Sequence, residues 1–208
     1  MSHDNNSQNE QAIEAAPSSE VAAPDGPRIY VASLSDYNAG VRHGAWLRAD
    51  SAPEGLWAGI NEMLAASPTT RRDAAEEWAI HDYEGFSPFV QLGEYESIER
   101  VAALARGLVA HGEAFAAWWS TEEREVTDDA EMEAAFEEQF LGEYGSIEDY
   151  GRQVLEDMGI EVEELLGVPD GLRPYVRVDV EAWTRDMEHG GEISTVESQG
   201  GVYVFWSA

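Results

Sequence analysis

The sequence predicts an α+β fold in three small units, because strand-like and helix-like patterns occupy separate parts of the chain. Arg28–Leu34 is rich in β-branched and aromatic residues, which is typical of a strand. From Thr69 to Gly167, apolar residues recur at helical spacing between frequent glycines. Two apolar runs around Ser198–Gly201 predict a closing β-hairpin. With 208 residues, of which 43% are hydrophobic, the chain is long enough to bury a core.

The N-terminal unit combines strands with one helix. After the predicted strand Arg28–Leu34, turn-forming residues at Tyr37–Gly40 predict a loop, and Gly44–Leu47 predicts a second strand. Pro53 suits the first position of a helix, and apolar residues at helical spacing continue to about Ala66. This pattern predicts a small α+β unit.

Composition divides the chain into a tail and three domains. Residues 1–27 are rich in Ser, Asn, Gln, Ala, Glu and Pro, and such a segment offers too little apolar surface to offset its ordering entropy, so we expect a disordered tail. We expect an N-terminal α+β domain at 28–90, a central bundle of short helices at 91–126, and an acidic C-terminal α+β domain at 127–208.

A short repeat lies within the helical part. Gly93–Glu99 matches Gly142–Glu148 at six of seven positions. In both copies the serine is a predicted helix N-cap, and in the second copy an acidic residue three positions later completes a capping box. Gly159 then predicts the end of that helix. We interpret the repeat as a turn followed by a cap rather than as a duplicated functional site.

The C-terminal part alternates between extended and helical patterns. Leu172–Val178 is predicted to be extended, and Asp179 is predicted to cap a helix. Glu192–Val196 and Val202–Trp206 predict the two strands of the hairpin. Both faces of the last strand are apolar, so we expect one of them to meet another domain or a second subunit, and we expect a homodimer.

Charge restricts the classes of partner. The formal net charge of -30 comes from 42 acidic residues against 12 arginines and no lysine. This excess of negative charge argues against direct binding of nucleic acid or of an anionic membrane and favours a basic partner. The absence of cysteine excludes disulfides and thiolate catalysis. No apolar run reaches the length of a membrane span and the N-terminus does not resemble a signal peptide, so we expect a cytoplasmic protein.

The acidic residues are concentrated in one region. Between Glu113 and Glu164 lie 18 of the 42 carboxylates and two arginines. A helix is predicted over Asp128–Leu141, and carboxylates four residues apart on it rise by ~6 Å, close to the ~7 Å between phosphates two nucleotides apart. This regularity predicts a DNA mimic. The candidate partner-binding carboxylates are Glu122, Glu123, Glu125, Asp128, Asp129, Glu131, Glu133, Glu137, Glu138, Glu143, Glu148, Asp149, Glu156 and Asp157.

Signals of catalysis are weak, and we predict neither an enzyme nor a cofactor. The five histidines are scattered and form no sequence pattern of metal ligands, so no metal site is predicted. One compact polar and aromatic cluster, Ile80–Phe86, is better explained by a buried His81 held by Asp82 than by a catalytic site.

Two alternatives to mimicry remain open. Adaptation to high salt also gives many carboxylates and no lysine, and would make this an acidic interaction protein of a halophile. The charge of a halophilic protein should be spread evenly along the chain. Here residues 113–166 carry a net charge of -16, whereas each of the segments 1–75, 76–112 and 167–208 carries -4 or -5. An enzyme with a carboxylate site is the weaker alternative, and would require a concave pocket with converging groups.

Six segments, in order, carry a family resemblance that extends over residues 28–206. They are Tyr30–Gly40, Gly44–Trp46, Asp82–Phe86, Phe136–Tyr144, Asp179–Met187 and Gly201–Phe205. Together they resemble the ArdA-type antirestriction proteins. The chain departs from that pattern in its 27-residue tail and in a longer insert around Ser51–Arg72.

The resemblance implies a function and an architecture. It implies a DNA-mimic inhibitor of Type I restriction-modification enzymes, encoded on a mobile genetic element, that binds the methyltransferase and specificity core where the enzyme would hold DNA. It further implies an elongated, curved chain of three domains that forms a homodimer through its C-terminal domain.

Overall fold

The computed structural model describes residues 26–69, 76–121, 129–160, 167 and 169–207. Within these residues the chain forms, in order, β1 (Arg28–Ser33), α1 (Leu34–Asn38), β2 (Gly44–Arg48), α2 (Pro53–Ala65), β3 (Trp78–Glu84), α3 (Ile98–Ser120), α4 (Met132–Gln139), β4 (Phe140–Tyr144), α5 (Ile147–Asp157), α6 (Val180–His189), β5 (Ile193–Glu197) and β6 (Val202–Trp206). Helices with small antiparallel sheets confirm the predicted α+β class. None of the described helices is both long and apolar enough to span a membrane.

The first sheet has the order β2-β1-β3, and all its pairings are antiparallel. The central strand β1 buries Ile29 and Val31 completely, because alternate side chains of a strand point to the same face. Leu56 and Ile60, one turn apart on α2, are buried in the same core. This arrangement confirms the predicted N-terminal strands and helix.

Helix α3 contributes to two hydrophobic cores. Its first half places Ile98 and Val101 in the core of the first sheet. Its second half places Phe115 and Trp118 in a second core, which α4 and β6 complete. Between the two halves, Gly112 has a φ of 62°, a conformation that breaks the regular helix and that glycine adopts readily. Ala103 and Leu104, before the kink, also belong to the second core, so both halves of α3 pack there.

The second sheet has the order β4-β6-β5 and is also antiparallel. In its central strand Phe205 is buried in the core of α3 and α4, while Val204 is buried in a small core beside α5. Both apolar faces of β6 are thus covered within the chain at these positions. Helices α5 and α6 approach closely at Gly151, where an added Cβ would lie 2.8 Å from atoms of Val180 and Thr184.

Two strands lie where the sequence predicted helices, so the helical prediction for Thr69–Gly167 is wrong at β3 and at β4. The pairing of β3 with β1 shifts register between Tyr30 and Val31, which leaves His81 as an extra, bulged residue. This bulge hides the alternation of polar and apolar residues by which a strand is recognised. Strand β4 follows α4 directly, and the apolar spacing of the helix continues into it.

Helix α4 is shorter than the predicted helix Asp128–Leu141. The described chain forms a 3₁₀ turn at Asp129–Glu131 and only then the α-helix. The α-helix ends because Phe140 turns to extended backbone and starts the strand β4. Asp128 itself, and residues 1–25 of the predicted tail, lie outside the described residues.

Two further local predictions are corrected. The predicted loop Tyr37–Gly40 is partly helical, because α1 begins beyond Ser33, whose Oγ accepts a hydrogen bond from the Asp36 backbone N–H at 3.3 Å. Leu172–Val178, predicted to be extended, contains a 3₁₀ turn at Arg173–Tyr175.

The predicted helix caps are confirmed. The side chains of Ser97, Ser146 and Asp179 accept hydrogen bonds from the backbone N–H three residues later, at 3.2, 3.1 and 2.9 Å. Gly159 has a φ of 68° just beyond α5, and its N–H donates to the Glu156 carbonyl oxygen at 2.9 Å. These contacts fix where α3, α5 and α6 begin and where α5 ends.

Candidate partner-binding surface

The predicted partner-binding carboxylates lie on consecutive elements in the second half of the chain. Four of them lie outside the described residues: Glu122, Glu123, Glu125 and Asp128. The others fall within residues 129–157, which we call the acidic segment. In chain order they are Asp129, Glu131, Glu133, Glu137, Glu138, Glu143, Glu148, Asp149, Glu156 and Asp157. Asp129 and Glu148 are partly buried, and the rest are exposed.

The orientation of α4 is set by its apolar side. Met132 and Phe136 are buried, and the Phe136 ring lies 5.5 Å from the Phe115 ring and 5.8 Å from the Trp118 ring. The apolar side of α4 therefore packs against α3. Because one side of the helix is held against α3, its carboxylates must point outward.

Two of these carboxylates converge on a histidine of α3. The His111 Nε2 atom lies 3.1 Å from Glu133 Oε1 and 3.9 Å from Glu137 Oε1. One oxygen from each glutamate and the imidazole nitrogen all lie within 4.8 Å of one another. The glutamates are therefore closer together than the ~7 Å spacing of phosphates that the sequence suggested. Nothing in the sequence pairs His111 with residues 22 and 26 positions away, so sequence analysis missed this cluster.

Helix α5 carries carboxylates at both ends. At its start, the Oγ of the N-cap residue Ser146 donates a hydrogen bond to the Asp149 carboxylate at 2.8 Å. In the same turn, Glu148 forms an ion pair with Arg152. At its end Asp157 accepts a hydrogen bond from Gln153 at 2.9 Å. The helix therefore holds these acids on ordered backbone.

Acids at the C-terminal ends of α4 and α5 oppose the helix dipole. Glu137 and Glu138 lie in the last turn of α4, and Glu156 and Asp157 lie in the last turn of α5. Neither last turn contains a basic residue. Negative charge at that end faces unpaired carbonyl oxygens and costs about 0.3–1 kcal/mol per residue. Stability alone does not account for this placement.

Positive partners are few in the acidic segment. Asp129 forms an ion pair with Arg100 at 3.1 Å, and Glu143 accepts a hydrogen bond from the Ser198 hydroxyl. Among the ten described carboxylates of the acidic segment, three form neither a hydrogen bond nor an ion pair. They are Glu131, Glu138 and Glu156. Their charge is available to an external partner.

The acids raise the pKa of nearby phenols. Burial raises the pKa of Tyr144, and the charge of Asp157 adds to it. Burial likewise raises the pKa of Tyr203, with further contributions from Glu143 and Glu113. Both effects keep the two phenols neutral to higher pH than usual, so carboxylates remain the source of negative charge in this region.

The Ile80–Phe86 cluster does not contain the buried histidine that the sequence predicted. His81 is the bulged residue of β3 and is exposed, with its ring 5.1 Å from the Tyr37 ring. Asp82 is also exposed, and its Oδ1 accepts a hydrogen bond from the Tyr83 N–H at 2.8 Å rather than holding the histidine. The prediction of a buried His81 is wrong because the bulge turns that residue outward.

The N-terminal motif Tyr30–Gly40 contains a buried aspartate that joins it by hydrogen bonds to the residues that follow α2. Asp36 is fully buried at α1 and its Oδ1 accepts a hydrogen bond from the Thr69 N–H at 3.2 Å. Burial by itself raises the pKa of Asp36, but hydrogen bonds from the hydroxyls of Ser67, Thr69 and Ser33 outweigh it and lower the pKa to about 2. This charge is structural.

Comparison with protein families identifies the chain. A family model described as "Antirestriction protein (ArdA)" matches residues 29–202, which is most of the chain. The chain belongs to the ArdA family of antirestriction proteins. A comparison with curated proteins finds no match. Membership in this family supports an antirestriction function, carried out against restriction-modification enzymes.

Proposed function

We propose that this ArdA-family protein is a DNA mimic that inhibits Type I restriction-modification enzymes by occupying the groove in which they hold DNA. The observation that carries the proposal is the acidic segment. Eight of its ten described carboxylates are exposed, and most of the ten have no cationic partner. Most of them lie on or beside α4 and α5, whose opposite sides are fixed in a core. The four carboxylates outside the described residues are included in the proposed surface.

The physical basis is electrostatic competition. DNA-binding grooves are lined with basic residues, so an ordered array of carboxylates gains Coulomb attraction and associates rapidly. Binding also releases counterions from both surfaces, as the binding of DNA does. The inhibitor copies the phosphate charges and no base, so it acts on enzymes with different recognition sequences. It binds without catalysis and without a cofactor.

The position of the acids favours this function over charge acquired for solubility alone. Solubility requires only that charge be exposed somewhere, and the N-terminal ends of helices would hold it at a lower energetic cost. This chain has acids in the first turns of α4 and α5, but it also keeps Glu137, Glu138, Glu156 and Asp157 at the opposite ends. A partner with a basic groove would compensate that cost on binding.

The proposal includes the assembly and the site of action. The protein acts in the cytoplasm as a homodimer, bound to the methyltransferase and specificity core of the enzyme, with domains at 28–90, 91–126 and 127–208. Trp206, half-exposed at the end of β6, is an apolar residue available to a second subunit. Sedimentation at micromolar concentration should give twice the monomer mass of 22.9 kDa. A monomer at that concentration would contradict the proposed dimer. It would not contradict DNA mimicry, which the competition experiment below tests separately.

The test is a competition between the protein and DNA. A purified Type I methyltransferase core is mixed with a labelled duplex carrying its recognition sequence, and the protein is added in increasing amounts. We expect release of the duplex and formation of a protein–enzyme complex. A second enzyme with a different recognition sequence should behave in the same way. Inhibition of cleavage with the duplex still bound would reject mimicry while leaving the antirestriction function intact.

A further inference from the structure

We propose that His111, Glu133 and Glu137 form a binding site for a first-row divalent cation such as Zn²⁺. The three side chains come from two helices, with His111 on α3 and the two glutamates on α4. Their three potential ligand atoms lie within 4.8 Å of one another. The proposed site shares Glu133 and Glu137 with the proposed partner-binding surface, but metal binding is tested without restriction enzymes, so the two proposals can fail separately.

The distances fit a shared metal ion. Zinc binds histidine nitrogen and carboxylate oxygen at about 2.0–2.2 Å, so two ligand atoms of one ion lie about 3 to 4 Å apart. The Nε2 atom of His111 lies 3.1 Å from Glu133 Oε1 and 3.9 Å from Glu137 Oε1. Only small side-chain rotations separate the present arrangement from coordination.

The ligands are held in place by the fold. The His111 ring lies 4.7 Å from the Phe136 ring and 6.3 Å from the Phe115 ring, so aromatic neighbours on both helices restrict its orientation. Glu133 and Glu137 are one turn apart on a helix whose other side is buried, which places them side by side. A preorganised set of ligands loses less entropy on binding a metal than a flexible set does.

The ligand types select the class of cation. One imidazole with two carboxylates suits Zn²⁺ and neighbouring transition metals, whereas Mg²⁺ and Ca²⁺ prefer oxygen ligands alone. With three protein ligands and partly exposed side chains, water can complete the coordination. A divalent ion would also neutralise two carboxylates that otherwise repel each other at short range.

The site lies beside the kink in α3. His111 is the last residue before the kink at Gly112, while Glu133 and Glu137 belong to α4, which shares a core with residues on both sides of the kink. A metal bound here would link α4 to the end of the first half of α3. We therefore expect Zn²⁺ to raise the midpoint of thermal unfolding as well as to bind.

The test is isothermal titration of the full-length, chelator-treated protein with Zn²⁺ at ~0.15 M salt and with excess Mg²⁺, which suppresses diffuse binding to surface acids. We expect one saturable equivalent. Glu133→Gln with Glu137→Gln should weaken it at least tenfold. The matched control is Glu131→Gln with Glu138→Gln, which removes the same charge from the exposed surface at the same helix and should bind as the unmodified protein does.

A second pair of variants tests the imidazole. His111→Gln should lose the site, while His81→Gln, which changes an exposed histidine elsewhere, should keep it. If circular dichroism shows that His111→Gln is unfolded, the variant with Glu133→Gln and Glu137→Gln tests the proposal on its own. The proposal is overturned if no saturable equivalent appears, or if the two glutamate pairs weaken binding equally, since the metal would then respond only to surface charge.

Discussion

The two sheets of this protein have a similar architecture, but the surfaces around them differ in the density of negative charge. Each is a three-stranded antiparallel sheet with a helix beside it. Around the first sheet, Arg28 pairs with Glu84 and Arg48 with Asp50. Around the second, the helices α4 and α5 present carboxylates among which a single arginine, Arg152, is described. Similar scaffolds thus carry a moderately anionic surface and a strongly anionic one.

The difference separates what holds the fold from what meets a partner. Both sheets are stabilised by buried apolar side chains, such as Ile29 in the first and Phe205 in the second. Apolar burial of this kind does not depend on the charge of the outer surface. The acidic segment can therefore be altered with little effect on folding, and the cores can be damaged without changing the charge.

The two copies of the short repeat sharpen this comparison. Ser97 caps α3 and Ser146 caps α5 in the same way, which supports the interpretation of the repeat as a turn and cap. In both copies the backbone before the serine is hydrogen-bonded to a sheet. In the first copy the Ile80 N–H of β3 donates to the Glu94 carbonyl oxygen, and in the second copy the residues before the serine form β4, which pairs with β6. The shared sequence encodes the local turn, while the surrounding charge differs.

The largest expected effect is on inhibition when α4 loses its exposed charge. Changing Glu131, Glu133, Glu137 and Glu138 together to Gln should weaken binding to a Type I methyltransferase by about 2 kcal/mol or more, ~30-fold, because each partly screened contact contributes about 0.2–1 kcal/mol. The binding constant from gel-shift competition measures this. The slope of affinity against salt concentration should also decrease.

The control removes the same charge from the other half of the molecule. Glu54, Glu62, Glu76 and Glu77 are exposed around the first sheet, and changing all four to Gln should leave binding within about threefold, since long-range effects are screened at physiological salt. Equal losses from the two sets would mean that total charge, rather than the acidic segment, determines binding. Circular dichroism checks that both variants are folded.

The second expected effect is on stability and tests the role of packing. At Gly107 an added Cβ would lie 2.2 Å from the Phe115 ring, so Gly107→Ala should destabilise the protein by about 1–3 kcal/mol through overpacking. At Gly55, in α2, the nearest atom would be 3.8 Å away, so Gly55→Ala should stabilise it by about 0.5–1 kcal/mol through helix propensity. Urea unfolding measures both. Similar effects at the two sites would contradict the packing at Gly107.

Features that depend on neighbouring residues could be predicted from the sequence. The Ser146 cap and the Gly159 end of α5 follow from hydrogen bonds within one turn of a helix. The buried side of α4, with Met132 and Phe136, follows from helical spacing. The acidic segment was evident from composition, because no fold is needed to count carboxylates.

Features that depend on distant residues could not be predicted. The strand β3 is recognisable only when its pairing with β1 is known, because the bulge at His81 shifts the side-chain alternation. The approach of His111 to Glu133 requires the packing of α3 against α4, and the sequence gives no sign of it. Tertiary contacts determine both features.

The third prediction concerns the stability of the protein at low pH. The pKa of Asp36 is lowered from 3.8 to about 2, so its charge stabilises the folded state above pH 3.8 and that contribution is lost as pH falls toward 2. Asp36→Asn should therefore destabilise the protein at neutral pH, and the difference from the unmodified protein should shrink between pH 4 and pH 2. Asp82→Asn, at an exposed site, is the control. A difference independent of pH would contradict the role of the charge.

The fourth prediction separates mimicry from adaptation to high salt. Because apolar cores support both sheets, the protein should be folded at about 0.05 M salt, and raising salt to about 1 M should change the unfolding free energy only slightly. Circular dichroism during urea unfolding at both salt concentrations measures this. A chain that is unfolded in the dilute buffer would show that its charge serves halophilic stability instead.

The smallest expected effect comes from single carboxylates. Glu137→Gln removes one charge of a distributed array, so binding to the methyltransferase should weaken by about 0.5–1 kcal/mol, roughly twofold to fivefold, and Glu62→Gln, beside the first sheet, should change it less. The same competition measurement distinguishes the two variants. Because an array tolerates the loss of one member, no single substitution should abolish inhibition. Complete loss in a folded Glu137→Gln protein would instead indicate a discrete site, and the contrast in charge density between the two surfaces would no longer explain the function.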